Sequence, residues 1–309
     1  MGEWIMFYTV TLNPAVDYLV RPTALIPGQT CRSESEELRV GGKGVNASLV
    51  LASLGVPSVA TGFLAGFTGE WLAQNLSNDR ITADFVRLTD GITRINVKIK
   101  GEKETEINAA GPAIPETYQT ALLQKFEALS DGDTLILAGN VPKSCPDDLY
   151  DRILQKAAGK DVRVAVDTSG SCLRGLLSRR PFLIKPNRQE LSELFDTKIR
   201  SLEDVKKYAR LLQGEGAKNV LVSLGGDGSF LLDETGQTRI CPPLKGKVYD
   251  TVGAGDSMVA GFLAGFEKTK DYAAAFLLAN ACGTATAFSD WLAKKEKIDE
   301  CLAALRGLF

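Results

Sequence analysis

Histidine is absent from all 309 residues, and that absence excludes more than any residue present. Ser-His-Asp and Cys-His nucleophilic catalysis, His-ligated zinc and the two-His iron triad all require an imidazole. A general base here must be Asp, Glu, Lys, Tyr or Cys. Cysteine is scarce and scattered: Cys31, Cys145, Cys172, Cys241, Cys282 and Cys301 form no C-x-x-C pair. That spacing suits neither a zinc site nor a dense disulfide framework, and reduced thiols in a cytoplasmic protein are expected. Strong charge of either sign is lacking too. A net charge of -2 argues against nucleic acid or an anionic membrane as the main partner. Long apolar runs are missing, and the most apolar stretch, residues 273–288, carries Asn280, Thr284 and Thr286. The N-terminus lacks the positive region of a secretory signal, and Met6 offers an alternative start that would leave residues 1–5 as an extension.

The chain does have enough apolar material for a full core, with 44% hydrophobic residues. Short β-rich runs alternate with longer helical stretches. Strands are predicted over Phe7–Leu12, Ser58–Thr61, Thr134–Leu137, Val162–Val166, Phe182–Ile184 and Val220–Ser223. Helices are predicted around 44–54, 69–77, 115–129, 146–158, 187–194 and 203–213, with a buried one over Met258–Phe266. This alternation implies an α/β fold whose mostly parallel sheet is covered by helices on both faces. Thr134–Leu137 shows no in-out alternation, as expected of a strand buried on both sides.

Two regions break the rhythm. Residues 15–40 mix Pro22, Pro27 and Gly28 with polar residues and no helical period. Residues 93–108 include Thr93–Lys100, whose alternation suits a half-exposed antiparallel strand, with Thr105–Asn108 returning as a hairpin. Together they predict a small β-sheet projecting from the main domain. Its apolar face must be covered, either by lying over a site or by pairing with a second subunit. No interdomain linker or internal repeat is seen, so residues 1–309 are expected to form one domain.

The motif of highest content is Asp250-Thr251-Val252-Gly253-Ala254-Gly255-Asp256. Small residues before a helix let bare backbone N–H groups approach an anion, where the helix dipole favours negative charge. Asp256, in the first turn, is placed to accept a proton from an attacking hydroxyl. A Gly-rich turn with an acidic first-turn residue would also arise with no chemistry attached. Gly41-Gly42-Lys43-Gly44-Val45-Asn46-Ala47 opens another helix with glycines, a cation and an amide suited to sugar hydroxyls or phosphate. Gly42, Gly44 and Ala47 also fit a dinucleotide fingerprint, but the preceding strand is poor and the expected acid is missing, since Glu70 comes too late. In Lys185-Pro186-Asn187-Arg188-Gln189-Glu190 a strand ends and Glu190 falls in a first helical turn, where an acid also serves stability alone. Ser223-Leu224-Gly225-Gly226-Asp227-Gly228 lies between two strands, as either a nucleotide-facing loop or a β-turn.

The order and spacing of these segments, with Thr11–Asp17 before them, resemble the PfkB branch of the ribokinase-like sugar kinases over nearly the whole chain. Within the branch, Thr93–Ile99, Thr105–Asn108 and Gly111-Pro112 are most similar to the 1-phosphofructokinases, with tagatose-6-phosphate kinases close by. The resemblance implies a three-layer α/β/α fold with a projecting β-lid built from about 15–40 and 92–110. It implies ATP-dependent phosphorylation of a phosphorylated ketohexose, foremost fructose 1-phosphate to fructose 1,6-bisphosphate. Tagatose-6-phosphate kinase and 6-phosphofructokinase activities are the alternatives, and a non-catalytic sugar-phosphate sensor a third.

Residue by residue, the resemblance implies that Asp17, Gly41, Gly42 and Asn46 meet the sugar. Lys43 and Arg94 would hold its phosphate, with Arg32 or Arg39 as helpers. Lys185 and Asn187 would contact ATP phosphates, and Glu190 would hold Mg²⁺ through water. Ser223, Gly225, Gly228 and Thr251 would line the nucleotide, with Asn280 near adenine. Gly253, Ala254 and Gly255 would form the anion hole beside the base Asp256. Asn140 stands where relatives often carry serine, in Gly139-Asn140-Val141-Pro142, and is expected to bond sugar or phosphate. A homodimer through the lid is expected. Monovalent-cation dependence and ATP against GTP are left open.

Overall fold

The computed structural model describes residues 5–101 and 104–308, so residues 1–4 of the possible N-terminal extension lie outside the described residues. Its strands are β1 (Phe7–Thr11), β2 (Ala15–Pro22), β3 (Ser33–Gly41), β4 (Ser58–Ala65), β5 (Ile81–Ala83), β6 (Val86–Leu88) and β7 (Arg94–Lys100). They continue with β8 (Glu104–Ile107), β9 (Thr134–Ala138), β10 (Arg163–Asp167), β11 (Leu183–Ile184), β12 (Asn219–Ser223), β13 (Ser229–Leu232) and β14 (Thr238–Cys241). The helices are α1 (Lys43–Ser53), α2 (Gly66–Leu76), α3 (Glu116–Lys125), α4 (Leu149–Lys156) and α5 (Gly170–Leu176). The rest are α6 (Arg188–Leu194), α7 (Leu202–Glu215), α8 (Ala254–Thr269), α9 (Tyr272–Ala287) and α10 (Lys295–Arg306).

The main sheet runs β14-β13-β12-β11-β10-β9-β1-β4-β5, with β6 also paired to β4. From β5 to β12 every pairing is parallel, and only β13 and β14 fold back antiparallel at one edge. Side chains alternate between two cores. Leu135, Leu137, Val166, Ile184 and Val222 pack on the side of α3 to α7. Ile136, Ala165, Leu183 and Leu221 pack on the side of α1, α8, α9 and α10. Burial on both faces explains the unbroken apolar strands and makes the three layers expected.

Topology places the site. From β1 the main sheet grows to β4 on one side, and later strands from β9 onward extend it on the other. Ligands of open parallel sheets bind beyond the strands' carboxyl ends at such a reversal. Asn140, Asp167, Lys185 and Ser223 all sit at or just past those ends.

The small sheet has order β3-β2-β7-β8. The β7–β8 hairpin is as expected, but β7 pairs with β2 in parallel. Alternation reports which face of a strand is wet, not its direction. β7 reaches β2 only after the excursion through β4 to β6, which permits a parallel pair. On one face Asp17 stands opposite Arg39 and Asn96, and Leu19 opposite Lys98. On the other, Tyr18 stands opposite Leu38 and Val97, and Val97 opposite Ile107. Leu38 is 47% and Ile107 59% exposed, so that apolar face is open in the single chain.

Candidate active site

Helix α1 begins hard against the end of β1. Its N-cap, Gly42, has φ 119°, and a Cβ there would lie 2.7 Å from the Thr11 methyl group. Only glycine admits that conformation and that approach. The turn sends Lys43 toward the cavity and leaves Asn46 buried. Asn46 Nδ2 donates to Asp256 Oδ2 at 2.7 Å, tying α1 to the first turn of α8. No side chain caps α8 at Gly253. The Ala254 amide bonds back to the Thr251 carbonyl at 3.2 Å, so this amide of the predicted anion hole already closes a turn. A Cβ on Gly255 would lie 2.8 Å from Lys185 Nζ, which places that ammonium against the helix start.

Asp167, at the end of β10, was not singled out in the sequence. Its Oδ1 lies 3.4 Å from Lys43 Nζ and 3.6 Å from Lys185 Nζ. Burial alone would raise its pKa, but Lys185 and Lys43 outweigh that and hold it below the usual range. Asp256 goes the other way, to about 6: burial raises it first and Asp167 second, against Lys43, Asn46 and Lys185. For Lys43, burial opposes the charge, yet Asp167, Asp256 and Glu190 together push it up to about 12. The sequence signal for Asp167 is an acid closing the buried run Val162–Val166.

A cavity of about 660 Å³ opens beside these groups. Lys43, Lys185, Asn187, Glu190, Ser223, Gly225, Gly228, Thr251, Ala254, Gly255, Asp256 and Asn280 all line it. Gly253 is the N-cap just outside. Asn187 and Glu190 form a capping box for α6: Asn187 Oδ1 accepts from the Glu190 amide, and Glu190 Oε2 from the Asn187 amide, each at 2.8 Å. Glu190 therefore has a structural duty, while its Oε1 stands 4.0 Å from Lys43 Nζ. Asn280 is tied down at both ends, accepting from Ser229 Oγ at 2.5 Å and donating to the Phe276 carbonyl at 2.8 Å. It retains one amide hydrogen for a ligand.

Across Asn46 lies the hydrophilic face of the small sheet. Asn96 Nδ2 donates to Asp17 Oδ1 at 2.9 Å, and Lys98 Nζ lies 3.3 Å from Asp17 Oδ2. Sequence reading gave Asn96 and Lys98 no role of their own, although their two-residue spacing from Arg94 puts all three on one face. Arg94 Nε donates to the Asn13 carbonyl at 3.1 Å, and burial lowers its pKa against the pull of Asp17.

Of the two helper arginines, Arg39 lines a hollow with Asp17, Asn46 and Lys98. Arg39 bonds Glu37 and Asp290, each at 2.6 Å, and Arg32 is exposed just before β3. The Asn140 side-chain Oδ1 accepts from Thr168 Oγ1 at 2.9 Å, and Asn140 lines a separate hollow of about 550 Å³. Among the described residues no group of three or more acidic or thiol side chains could hold a metal by itself.

A family description, pfkB family carbohydrate kinase, matches residues 9–290. The chain belongs to the pfkB family of carbohydrate kinases. Among relatives of this pfkB chain, the 1-phosphofructokinase of Bacillus subtilis is 42% identical over 97% of the chain and 99% of its own length. The D-tagatose-1-phosphate kinase of Bacillus licheniformis is 37% identical over 97% and 99%. The solved Escherichia coli phosphofructokinase-2 in complex with substrates and products superposes with TM-score 0.92 at 27% identity, covering 98% of this chain and 100% of that one. The ribokinase-like fold expected from the sequence holds, and the protein is an ATP-dependent sugar-phosphate kinase. No described helix is long and apolar enough to cross a membrane.

Proposed function

We propose that this kinase transfers the γ-phosphoryl group of ATP to fructose 1-phosphate, giving fructose 1,6-bisphosphate, with Asp256 as the base. The observation that carries this is Asp256 itself. It is buried at the wall of the 660 Å³ cavity, hydrogen-bonded by neutral Asn46, and pushed up to about 6. A base of that strength is mostly ionised at neutral pH yet still able to hold a proton. Asp17, Gly41, Gly42 and Asn46 orient the sugar; Lys43 and Arg94 anchor its phosphate, with Asn140 at the edge. Lys185 and Asn187 grip the ATP phosphates, while Ser223, Gly225, Gly228, Thr251 and Asn280 shape the nucleotide cavity.

The C6 hydroxyl of fructose 1-phosphate faces Asp256, which takes its proton as the oxygen attacks the γ-phosphorus. ADP leaves from the opposite side. The transition state is loose, so positioning and electrostatics do most of the catalysis. Lys185 and the amides of Gly253 and Gly255 meet charge on the phosphoryl oxygens. Glu190 would hold, through water, a Mg²⁺ ion that arrives on the nucleotide. When bound, that ion neutralises the β- and γ-phosphate charge.

The 1-phosphate choice rests on the kinases named for 1-phosphates among the relatives. The furanose carries a CH₂O– group at both ends, so the pocket must select which end is anchored. Tagatose 1-phosphate is the second reading, favoured by the 37% identical relative, and replaces tagatose 6-phosphate as the nearer rival. The test is a comparison of specificity constants for fructose 1-phosphate, fructose 6-phosphate and both tagatose phosphates. A lead of ten-fold or more, about 1.4 kcal/mol, is expected for fructose 1-phosphate. A lead for tagatose 1-phosphate would keep the chemistry and overturn the substrate.

The chain acts as one kinase domain with the small sheet as its lid. Its open apolar face supports a homodimer in which each lid covers the other, and a monomeric mass by light scattering at micromolar concentration would contradict that. Six unpaired cysteines support a reducing, cytoplasmic setting.

A further inference from the structure

Two buried carboxylates share this site, and the lysines between them are not shared evenly. Asp167 has 3% of its side chain exposed, one oxygen facing both Lys43 and Lys185, and the other oxygen without a hydrogen-bond partner. Asp256 is 7% exposed and takes its hydrogen bond from a neutral amide. Neither lysine lies within ion-pair distance of it among the described residues. We propose that Asp167 is a positioning residue, whose carboxylate holds Lys43 and Lys185 off Asp256 so that the base stays free of an ion pair. The inference rests on the reading of Asp256 as the base and extends it to the residue that keeps it usable.

The argument is electrostatic. A lysine in contact with Asp256 would stabilise its charged form and lower its pKa by roughly 1–3 units, leaving a poor proton acceptor. Asp167 prevents this in two ways. It engages both ammoniums at 3.4 and 3.6 Å, and its own negative charge adds repulsion at Asp256. The groups facing Asp256 are Lys43 and Asn46 from α1, Asp167 from β10 and Lys185 after β11. Glu190 of α6 acts only at second hand, 4.0 Å from Lys43. Since the lysines hold the Asp167 pKa down, it stays charged wherever Asp256 titrates. The same contacts fix both ammoniums at the wall of the 660 Å³ cavity. A role confined to packing the end of β10 would need no charge. The backbone bond from the Gly139 amide to the Asp167 carbonyl survives any side-chain change.

The test is the pH profile of kcat in Asp167→Asn, which keeps shape and removes charge, measured on the full chain with Mg-ATP and saturating fructose 1-phosphate. The acid limb should move down by about one pH unit or more as the lysines turn to Asp256. The plateau should fall at least ten-fold, while Asp167→Glu should keep the limb near that of the parent. An unmoved limb in a folded Asp167→Asn overturns the proposal. If that variant does not fold, infrared titration of the parent decides. A carboxyl band titrating near pH 6 and missing from Asp256→Asn supports the proposal, and one titrating below pH 4 overturns it. Asp256→Asn assayed in parallel separates the two ideas: if it keeps full activity the base assignment fails, whatever Asp167 does.

Discussion

Asn46 and Asp256 lie 210 residues apart in the chain, yet their side chains meet at 2.7 Å where α1 and α8 converge. Among the described residues this contact is the one hydrogen bond that the Asp256 carboxylate accepts from a side chain. Because it favours the ionised form, Asn46→Ala should raise the Asp256 pKa above about 6 and move the acid limb of kcat upward. A hydrogen bond to a charged group is worth about 1.5–3 kcal/mol, so kcat near pH 7 should fall roughly 10- to 100-fold. A pH series on the variant checks both.

The raised pKa also has a sign for stability. Asp256 binds its proton more tightly folded than unfolded, so its burial is harmless at low pH. Stability is lost as pH rises from the ordinary carboxylate value of 3.8 through about 6. Asp256→Asn should therefore be more stable than the parent at pH 8, by on the order of 1–3 kcal/mol, and nearly equal to it at pH 4. Urea unfolding at the two pH values measures this.

Gly255 is a steric sentinel for Lys185. A methyl group there would sit 2.8 Å from the ammonium. Gly255→Ala should push Lys185 out of line and lower kcat by about 100-fold or more, since misplacement of about 1 Å can be that costly. Circular dichroism should show the fold unchanged.

Glu190 separates structure from function by a single atom. Gln at this position keeps the capping box but loses the charge. Glu190→Gln should leave the thermal midpoint within a few degrees while raising the Mg²⁺ concentration needed for half-maximal rate several-fold. An unchanged Mg²⁺ requirement would mean the capping box is all Glu190 does.

Arg94 and Arg39 should behave differently. Arg94 faces the sugar side, and Arg94→Lys loses the planar fork that suits phosphate. The KM for sugar phosphate should rise about ten-fold with the KM for ATP unchanged. Arg39 links the lid to the body through Asp290 at 2.6 Å, so Arg39→Lys should show mainly in stability.

Much of this was legible because the site is built from contiguous segments at strand ends. Residues 41–46, 185–190 and 250–256 each carry several functional atoms on one short turn, which a sequence displays directly. The doubly buried strands announced themselves by composition, as Thr134–Leu137 did. Asp167 did not, because it is a single acid whose meaning depends on two lysines brought in from elsewhere in the chain. Nor does the charged run Glu36-Glu37-Leu38-Arg39 show that Arg39 pairs with Asp290. Helices α5, α9 and α10 and strands β5 and β6 were passed over, and of the edge pair β13 and β14 only the first was implied, as the strand after Gly228. α5 is short and holds Gly170 and Gly175, and β13 and β14 form an edge with weak alternation. The direction of β7 depended on the chain's path between strands, which alternation does not encode.

The central claim is that Asp256 takes the proton from a phosphorylated ketohexose during transfer from ATP. The most direct measurement is ADP release from Mg-ATP with fructose 1-phosphate, by the parent and by Asp256→Asn. The account predicts that kcat falls at least ~10²–10⁴-fold, with both KM values within a few-fold of the parent. A variant that turns over within ten-fold of the parent would contradict it.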